Sequence, residues 1–216
     1  EDVKGLKLAF LSYTYGTNGV KLPQDKLFAV NYIDKEKIQA DAQKARDLGA
    51  DLVIASIHWG QEYANVPSAE QRSLARWLLE NTEIDIISGN HVHAVQPIEF
   101  LQATNKKSGL AKEGLVIYAQ GNFVSDQQTD KANKGIIVNI SIEADPLLNK
   151  LNIREVRYLP TWVDETPGSG SKTYRVLNVE KALNDYREGR DPLLSPEDCQ
   201  EMLDYVSEVK KIIAPT

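Results

Sequence analysis

Apolar positions along this chain fall alternately into unbroken runs and into stripes with helical spacing. "LKLAFLSY", Leu6 to Tyr13, reads as a strand. Asp34 stands ahead of a stripe of Ile38, Ala42 and Ala45, which predicts a capped helix closed at Gly49, where the backbone needs a left-handed residue. "DLVIASI", Asp51 to Ile57, is almost wholly apolar, as central parallel strands are when both faces are covered. Ser68 with Gln71 three residues on forms a capping-box pattern before the stripe Leu74, Ala75, Leu78 and Leu79. "IDIIS", Ile84 to Ser88, then reads as the next strand, so strand, helix and strand make a βαβ unit whose two strands end on one edge of the sheet. "GLVIYA", Gly114 to Ala119, is a further buried strand.

Beyond Asn122 the pattern changes. "GIIVNISIEA" and "KLNIREVRYLPTWV" alternate and predict an antiparallel pair, with Asp145-Pro146 in the turn between them. The turn-rich "DETPGSGSKT", Asp164 to Thr173, reads as a loop that interrupts the sheet. Its Gly168-Ser-Gly170-Ser-Lys172 run misses the spacing of a phosphate loop. Ser195 caps a last helix with Pro196 at its first position and a packing stripe of Cys199, Met202, Val206, Val209 and Ile213. The expected organisation is a domain over 1–163, a loop over 164–173, and a C-terminal strand and helices over 174–216 packing on the same domain.

Composition narrows the function classes. Of 216 residues, 42% are hydrophobic and 26% charged, which is globular usage and excludes a disordered or collagen-like chain. No apolar run approaches the roughly 18 to 20 residues that span a bilayer, and Glu1-Asp2-Val3-Lys4 is unlike a signal peptide's basic start. A formal charge of -6 lacks the basic excess of a nucleic-acid binder; Lys106, Lys107 and Lys112, the densest basic cluster, read as a solvated loop. The single cysteine, Cys199, rules out an intrachain disulfide.

The chemistry concentrates in the three histidines. "HWGQE" and "GNHVH" directly follow the two strands of the βαβ unit, so His58, His91 and His93 are expected at one sheet edge, where open α/β sheets bind ligands. If the strand before "QGNF" is also parallel, Asn122 comes to that edge too. Neutral imidazole is a common ligand of catalytic metals, and a His-x-His pair in extended backbone aims both rings one way. A lone pair of this kind can equally serve hydrogen bonding. His58 on the neighbouring strand turns the reading toward a metal. Glu62 and Asp126 are the nearby carboxylates, with an ordinary solvated role open to each.

"ADLVIASIHWGQEY", "SGNHVHAVQPIEF" and "GLVIYAQGNFVSDQ" together resemble three consecutive motifs of the bacterial capsule-synthesis CapA family, the poly-γ-glutamate synthesis proteins of the calcineurin-like metallophosphatase superfamily. "LKLAFLSYTYGTNG" is similar to the segment preceding them, so the resemblance covers about residues 5–143. The family usually places a histidine or similar residue where this chain has Asn90. Its Gly-Asp, Asn-x-Glu and Asn-Asn-His segments, which precede the strand that begins this chain, are missing here.

The resemblance implies an α/β fold, a metallophosphatase-like sandwich of two mixed sheets flanked by helices, of which this chain resembles the C-terminal portion. It implies His58, His91 and His93 as metal ligands, with His58, His91 and Glu62 at the catalytic centre and Asn90 and Asn122 as polar lining. Gln96 and Glu99 would anchor the loop. A divalent metal (Zn, Mn or Fe) would then meet an incomplete site in this chain alone. The expected partners are an upstream half of the same domain, in the same or a separate polypeptide, and the capsule polymer or its synthesis machinery, with no nucleic acid and no membrane-spanning segment in this chain. The implied function is poly-γ-glutamate or related capsule biosynthesis at the extracellular face of the membrane or the cell surface. The alternatives are an active metal-dependent phosphoesterase or amide hydrolase, and a non-catalytic polymer-binding or scaffold subunit.

Overall fold

The computed structural model describes residues 1–127, 132–145, 150–167 and 172–213. The chain divides into two compact units whose segments interleave: Glu1–Gln61, Val66–His91 and Ile98–Ala119 form the first, and Glu62–Asn65, Val92–Pro97 and Gln120–Thr216 the second.

The first unit is a six-stranded mixed sheet. In chain order its strands are β1 (Asp2–Val3), β2 (Leu6–Thr14), β3 (Leu52–Trp59), β4 (Ile86–His91), β5 (Ile98–Thr104) and β6 (Ala111–Ile117), arranged β1-β2-β3-β4-β6-β5. The four central strands are parallel, and β1 and β5 are antiparallel to their neighbours. Two crossover helices, α1 (Lys35–Asp47) and α2 (Ala69–Asn81), join the central strands. Ile38, Ala42 and Ala45 of α1 and Ala75, Leu78 and Leu79 of α2 share one buried cluster with Val53, Ala55 and Ile57. Both helices therefore lie on one face of the sheet, as two crossovers of the same hand running in the same direction must.

The local signals expected from sequence are made. The Asp34 side chain accepts from the Lys37 backbone N–H at 2.8 Å, and Gly49 leaves the helix at φ +85°. Ser68 and Gln71 form the reciprocal capping box of α2. The strand β5 was not anticipated, since "IEFLQAT" lacks a clean apolar alternation. Lys106 pairs with Glu80 at 2.8 Å, and the Lys112 ammonium donates to the Thr82 carbonyl at 3.2 Å, so the basic cluster is tied into the fold.

The strands' carboxyl ends are locked together by one side chain. Trp59, 3% exposed at the end of β3, sends its indole Nε1–H to the Tyr118 carbonyl just beyond β6, at 2.9 Å. The bond passes over β4 at Gly89. A Cβ there would collide with both the Tyr118 carbonyl and the Trp59 indole nitrogen. The Gly-Asn step ahead of the histidine pair is thus set by an indole that needs the space a side chain would fill.

The opposite margin is only partly covered. Alternate residues of β2 turn their backbone groups away from β3, as the bonds of Leu8 to Glu1 and of Thr14 to Asn31 establish. Between those ends, the outward N–H and C=O groups of Phe10 and Ser12 have no partner among the described residues. Phe10 is 62% exposed, and beside it Leu8, Leu11 and Leu48 line a groove of about 900 Å³ together with the charged Lys7, Lys37 and Asp41.

The second unit holds a three-stranded sheet of β7 (Lys134–Asp145), β8 (Lys150–Pro167) and β9 (Lys172–Asn178), followed by α3 (Val179–Arg187) and α4 (Pro196–Ile213). This sheet is antiparallel throughout, so of the two expected mixed sheets only the larger is mixed. The expected loop over 164–173 is corrected. Residues up to Pro167 and from Lys172 pair as strands, and 168–171 lie outside the described residues, as does Pro146. The turn-forming composition gives way because Asp164, 4% exposed, stands opposite Arg175, whose Nε donates to it at 2.7 Å while Nη1 reaches Asp191 at 2.9 Å. A cross-strand ion pair with a second carboxylate outweighs the local preference for a turn. On α4, Tyr205 takes the buried place expected of Val206 and donates its hydroxyl to the Gly135 carbonyl.

Gly89→Ala is expected to cost at least about 3 kcal/mol, since neither a backbone carbonyl nor a packed indole can yield to the added methyl. Trp59→Phe should cost about 1–3 kcal/mol by leaving the Tyr118 carbonyl unpaired. Urea denaturation followed by circular dichroism measures both; an unchanged midpoint for Gly89→Ala would refute the lock.

Candidate functional site

In the first unit the parallel strands β2, β3 and β4 deliver Tyr15, His58 and His91 to a common edge. The Tyr15 backbone N–H continues the β2–β3 ladder by donating to the His58 carbonyl at 3.0 Å. The Tyr15 ring stacks on His58, with centroids 5.8 Å apart and planes 7° from parallel, and tilts against His91 at 4.6 Å. The two imidazoles are themselves 4.4 Å apart, tilted by 52°. His91 is buried and His58 exposed. Asn90 is exposed and sits opposite His58 in the ladder.

That contact requires a break in strand alternation. His91 pairs in register with Trp59, whereas His58 pairs with Asn90, so regular pleating would place the two histidines on opposite faces. At His91 φ is +116°, a conformation that side chains with a Cβ rarely adopt, and the chain departs from the pleat there. His93 also has positive φ, +55°. The expectation of a His-x-His pair in extended backbone, aiming both rings alike, is therefore corrected: the backbone at both positions is left-handed, and alternation does not apply.

His93 falls in the second unit, with Glu62 and Asn122. Its Nδ1 lies 2.7 Å from Asn122 Oδ1, and the Tyr63 ring stacks near it at 6.0 Å. Tyr63, itself at φ +63°, is tied by its N–H to the Val92 carbonyl at 2.6 Å. Glu62 is exposed. Gln96 is fully buried and donates to the Ala64 carbonyl at 2.9 Å, which fits the anchoring role expected of it. In the first unit Glu99 accepts from Arg72 Nη1 at 3.0 Å, and the Arg72 guanidinium lies over the Tyr118 ring. Burial, with Glu99 adding to it, pushes the Tyr118 phenol up to about 12, so it stays a neutral hydroxyl at physiological pH. Asp126 is exposed and engaged by Lys172 and Tyr174.

In the first unit the structure brings together His58 with His91, and in the second His93 with Asn122. Two imidazoles at the His58–His91 spacing are near enough to serve as neighbouring ligands of one ion, whose bonds to imidazole nitrogen run about 2.0–2.1 Å for zinc. Among the described residues, no group of three or more His, Cys, Asp or Glu side chains is gathered to hold a metal. Tyr15 and Tyr63 were missed in the sequence. The available signal for Tyr15 was its position just past a third parallel strand; for Tyr63 there was none.

Strain at His91 separates two substitutions that remove the same imidazole. His91→Gly should be more stable than His91→Ala by about 1 kcal/mol, because relief of the left-handed backbone exceeds the added chain entropy of glycine. Thermal or urea unfolding of the two variants side by side measures this; an alanine variant equal to or above glycine would show that no strain is held there.

Comparison with known proteins bears on the identity of the chain. Residues 1–127 match the family model of the bacterial capsule synthesis protein PGA_cap. The capsule biosynthesis protein CapA of Bacillus anthracis is 28% identical over 141 residues, covering 64% of this chain and 32% of that protein. The PGA biosynthesis protein CapA of Bacillus subtilis (strain 168) is 31% identical over 153 residues, covering 66% and 34%. The chain thus spans about a third of the length of these curated relatives. Among solved structures, the NAD nucleotidase (NadN) of Haemophilus influenzae superposes with a TM-score of 0.45 at 12% identity, over 99% of this chain and 37% of that one, a likeness too distant to argue from. With residues 1–127 of 216 matched by one family model, the chain belongs to the bacterial capsule synthesis protein family PGA_cap.

Proposed function

We propose that this chain serves the biosynthesis of poly-γ-glutamate or a related capsule polymer at the cell surface, through a metallophosphatase-like site on the carboxyl edge of its parallel strands. The observation that supports it most is the contact of His58 and His91, 4.4 Å between ring centroids, on adjacent strands at the edge where α/β sheets bind ligands. His58 and His91 would hold a divalent ion (Zn, Mn or Fe), and Tyr15 would shield one side of both rings from water. When bound, such an ion supplies an activated hydroxide for attack on a phosphate ester or amide. No helix among the described residues is long and apolar enough to cross a membrane.

A second reading, a non-catalytic subunit that binds the polymer, is favoured by one observation. Within the first unit a tyrosine ring 49% exposed lies against both His58 and His91. Two imidazole N–H groups beside an aromatic face suit carboxylates of an anionic polymer as well as a metal.

The partner in either reading is an upstream portion of the same domain, in the same or a separate polypeptide. Its support is the open margin of β2: backbone groups at Phe10 and Ser12 that have no partner among the described residues, beside a groove lined by apolar and charged side chains together, are the two features that invite strand addition.

Titration calorimetry with zinc and manganese tests the metal reading on the 216-residue chain. Weak binding of about one ion, lost in both His58→Ala and His91→Ala, is the expected result. Tight binding of two ions that survives either replacement would overturn it. Co-expression with the upstream polypeptide should raise both the melting temperature and the metal affinity, and His58→Ala should cancel only the second gain.

A further inference from the structure

We infer that Asn122 is a positioning residue that holds His93 in one tautomer, with the proton on Nδ1 and the lone pair on Nε2. Only the consequence for a bound ligand rests on the proposed function; the tautomer follows from three contacts within the second unit.

The first step is the orientation of the Asn122 amide. One end of it lies 2.8 Å from the Ala132 backbone carbonyl and 3.2 Å from Gln127 Oε1. A carbonyl oxygen only accepts, so the end facing Ala132 must be the NH₂ group. The amide is then not free to turn over, and its Oδ1 faces His93. The second step is the proton. Asn122 Oδ1 can only accept, and it lies 2.7 Å from His93 Nδ1, so Nδ1 must carry the hydrogen. A neutral imidazole has one N–H, which leaves Nε2 as the acceptor. Free histidine side chains favour the other tautomer, so the protein has reversed an intrinsic preference.

The third step is why the lever is stiff. Asn122 is pinned by its backbone: its N–H donates to the Lys134 carbonyl at 3.1 Å, and on the other side of Gly121 the Gln120 carbonyl accepts from the Ile136 N–H at 2.8 Å. Gly121 at φ +73° bridges to Gly135, where a Cβ would strike the Asn122 carbonyl. Two glycines facing each other let the loop lie directly on the start of β7. The imidazole is steadied from its own side by the Tyr63 ring.

An oriented ring with its lone pair on Nε2 is the form in which a histidine ligates a metal or accepts a proton, and a hydrogen bond at the other nitrogen is how such ligands are commonly held. Asn122 therefore acts through His93, and its role is to decide which nitrogen carries the proton and which keeps the lone pair.

Long-range proton–nitrogen correlation spectra of the histidine-labelled chain, recorded without metal under mildly alkaline conditions, test this directly. The His93 signals are identified by their loss in His93→Gln. In the wild-type chain His93 should give a pyrrole-type Nδ1 and a pyridine-type Nε2. Asn122→Ala, which removes the Oδ1 acceptor facing Nδ1, should move the pattern toward the opposite tautomer. A wild-type His93 protonated on Nε2 would overturn the inference without any variant, as would an unchanged pattern in a folded Asn122→Ala. Because no metal is added, failure of the metal reading leaves these outcomes untouched.

Discussion

The indole of Trp59 reaching the Tyr118 carbonyl over Gly89 is the constraint on which the rest of the first unit depends. Parallel strands hold one another along their lengths through slanted backbone bonds, but at their carboxyl ends those ladders stop, and the ends are free to splay. A single buried donor that spans from the end of β3 to just past β6, with β4 beneath it, ties three strands at that point. His58 is the residue before the indole, and His91 is two residues after the glycine. Positions that close to a fixed bond inherit its precision, which is what a pair of interacting rings requires.

The lock also accounts for a feature that chemistry alone leaves unexplained. The histidine pair is preceded by glycine, and glycine there suggests a flexible loop entrance. In the fold, Gly89 is inside the strand and buried, and it is small because another side chain occupies its place. The flexibility is absent; what the residue supplies is room.

Much of the architecture is legible in the sequence because it is local. Asp34, Ser68 and Ser195 announce their helices through side-chain bonds made within one turn. The continuous apolar runs of β3 and β6 identify parallel interior strands for the same reason, since burial on both faces leaves a one-dimensional mark. The site is less legible. Its edge and two of its histidines follow from the βαβ pattern, but the contact between His58 and His91 depends on a left-handed backbone at a residue with a Cβ, which no propensity foresees. Asn122 is 29 positions from the ring it bonds, and Asp164 and Arg175 convert a turn-rich segment to strand across the ladder. Each miss involves partners far apart in the chain or a backbone held against its preference.

Left-handed backbone at a histidine is a cost that an ordinary loop avoids by using glycine or asparagine. Here it falls on both His91 and His93, while Asn90, which would tolerate that conformation better, stands beside them in regular strand geometry. The tolerant residue is thus not where tolerance is needed. Asparagine at position 91 would relax the backbone, at the cost of filling less of the buried space that the His91 ring takes. The arrangement makes sense when the rings themselves are required at those two points, and the surrounding bonds, from Trp59 to Tyr118 in one unit and from Asn122 to Ala132 in the other, hold the strained backbone in place.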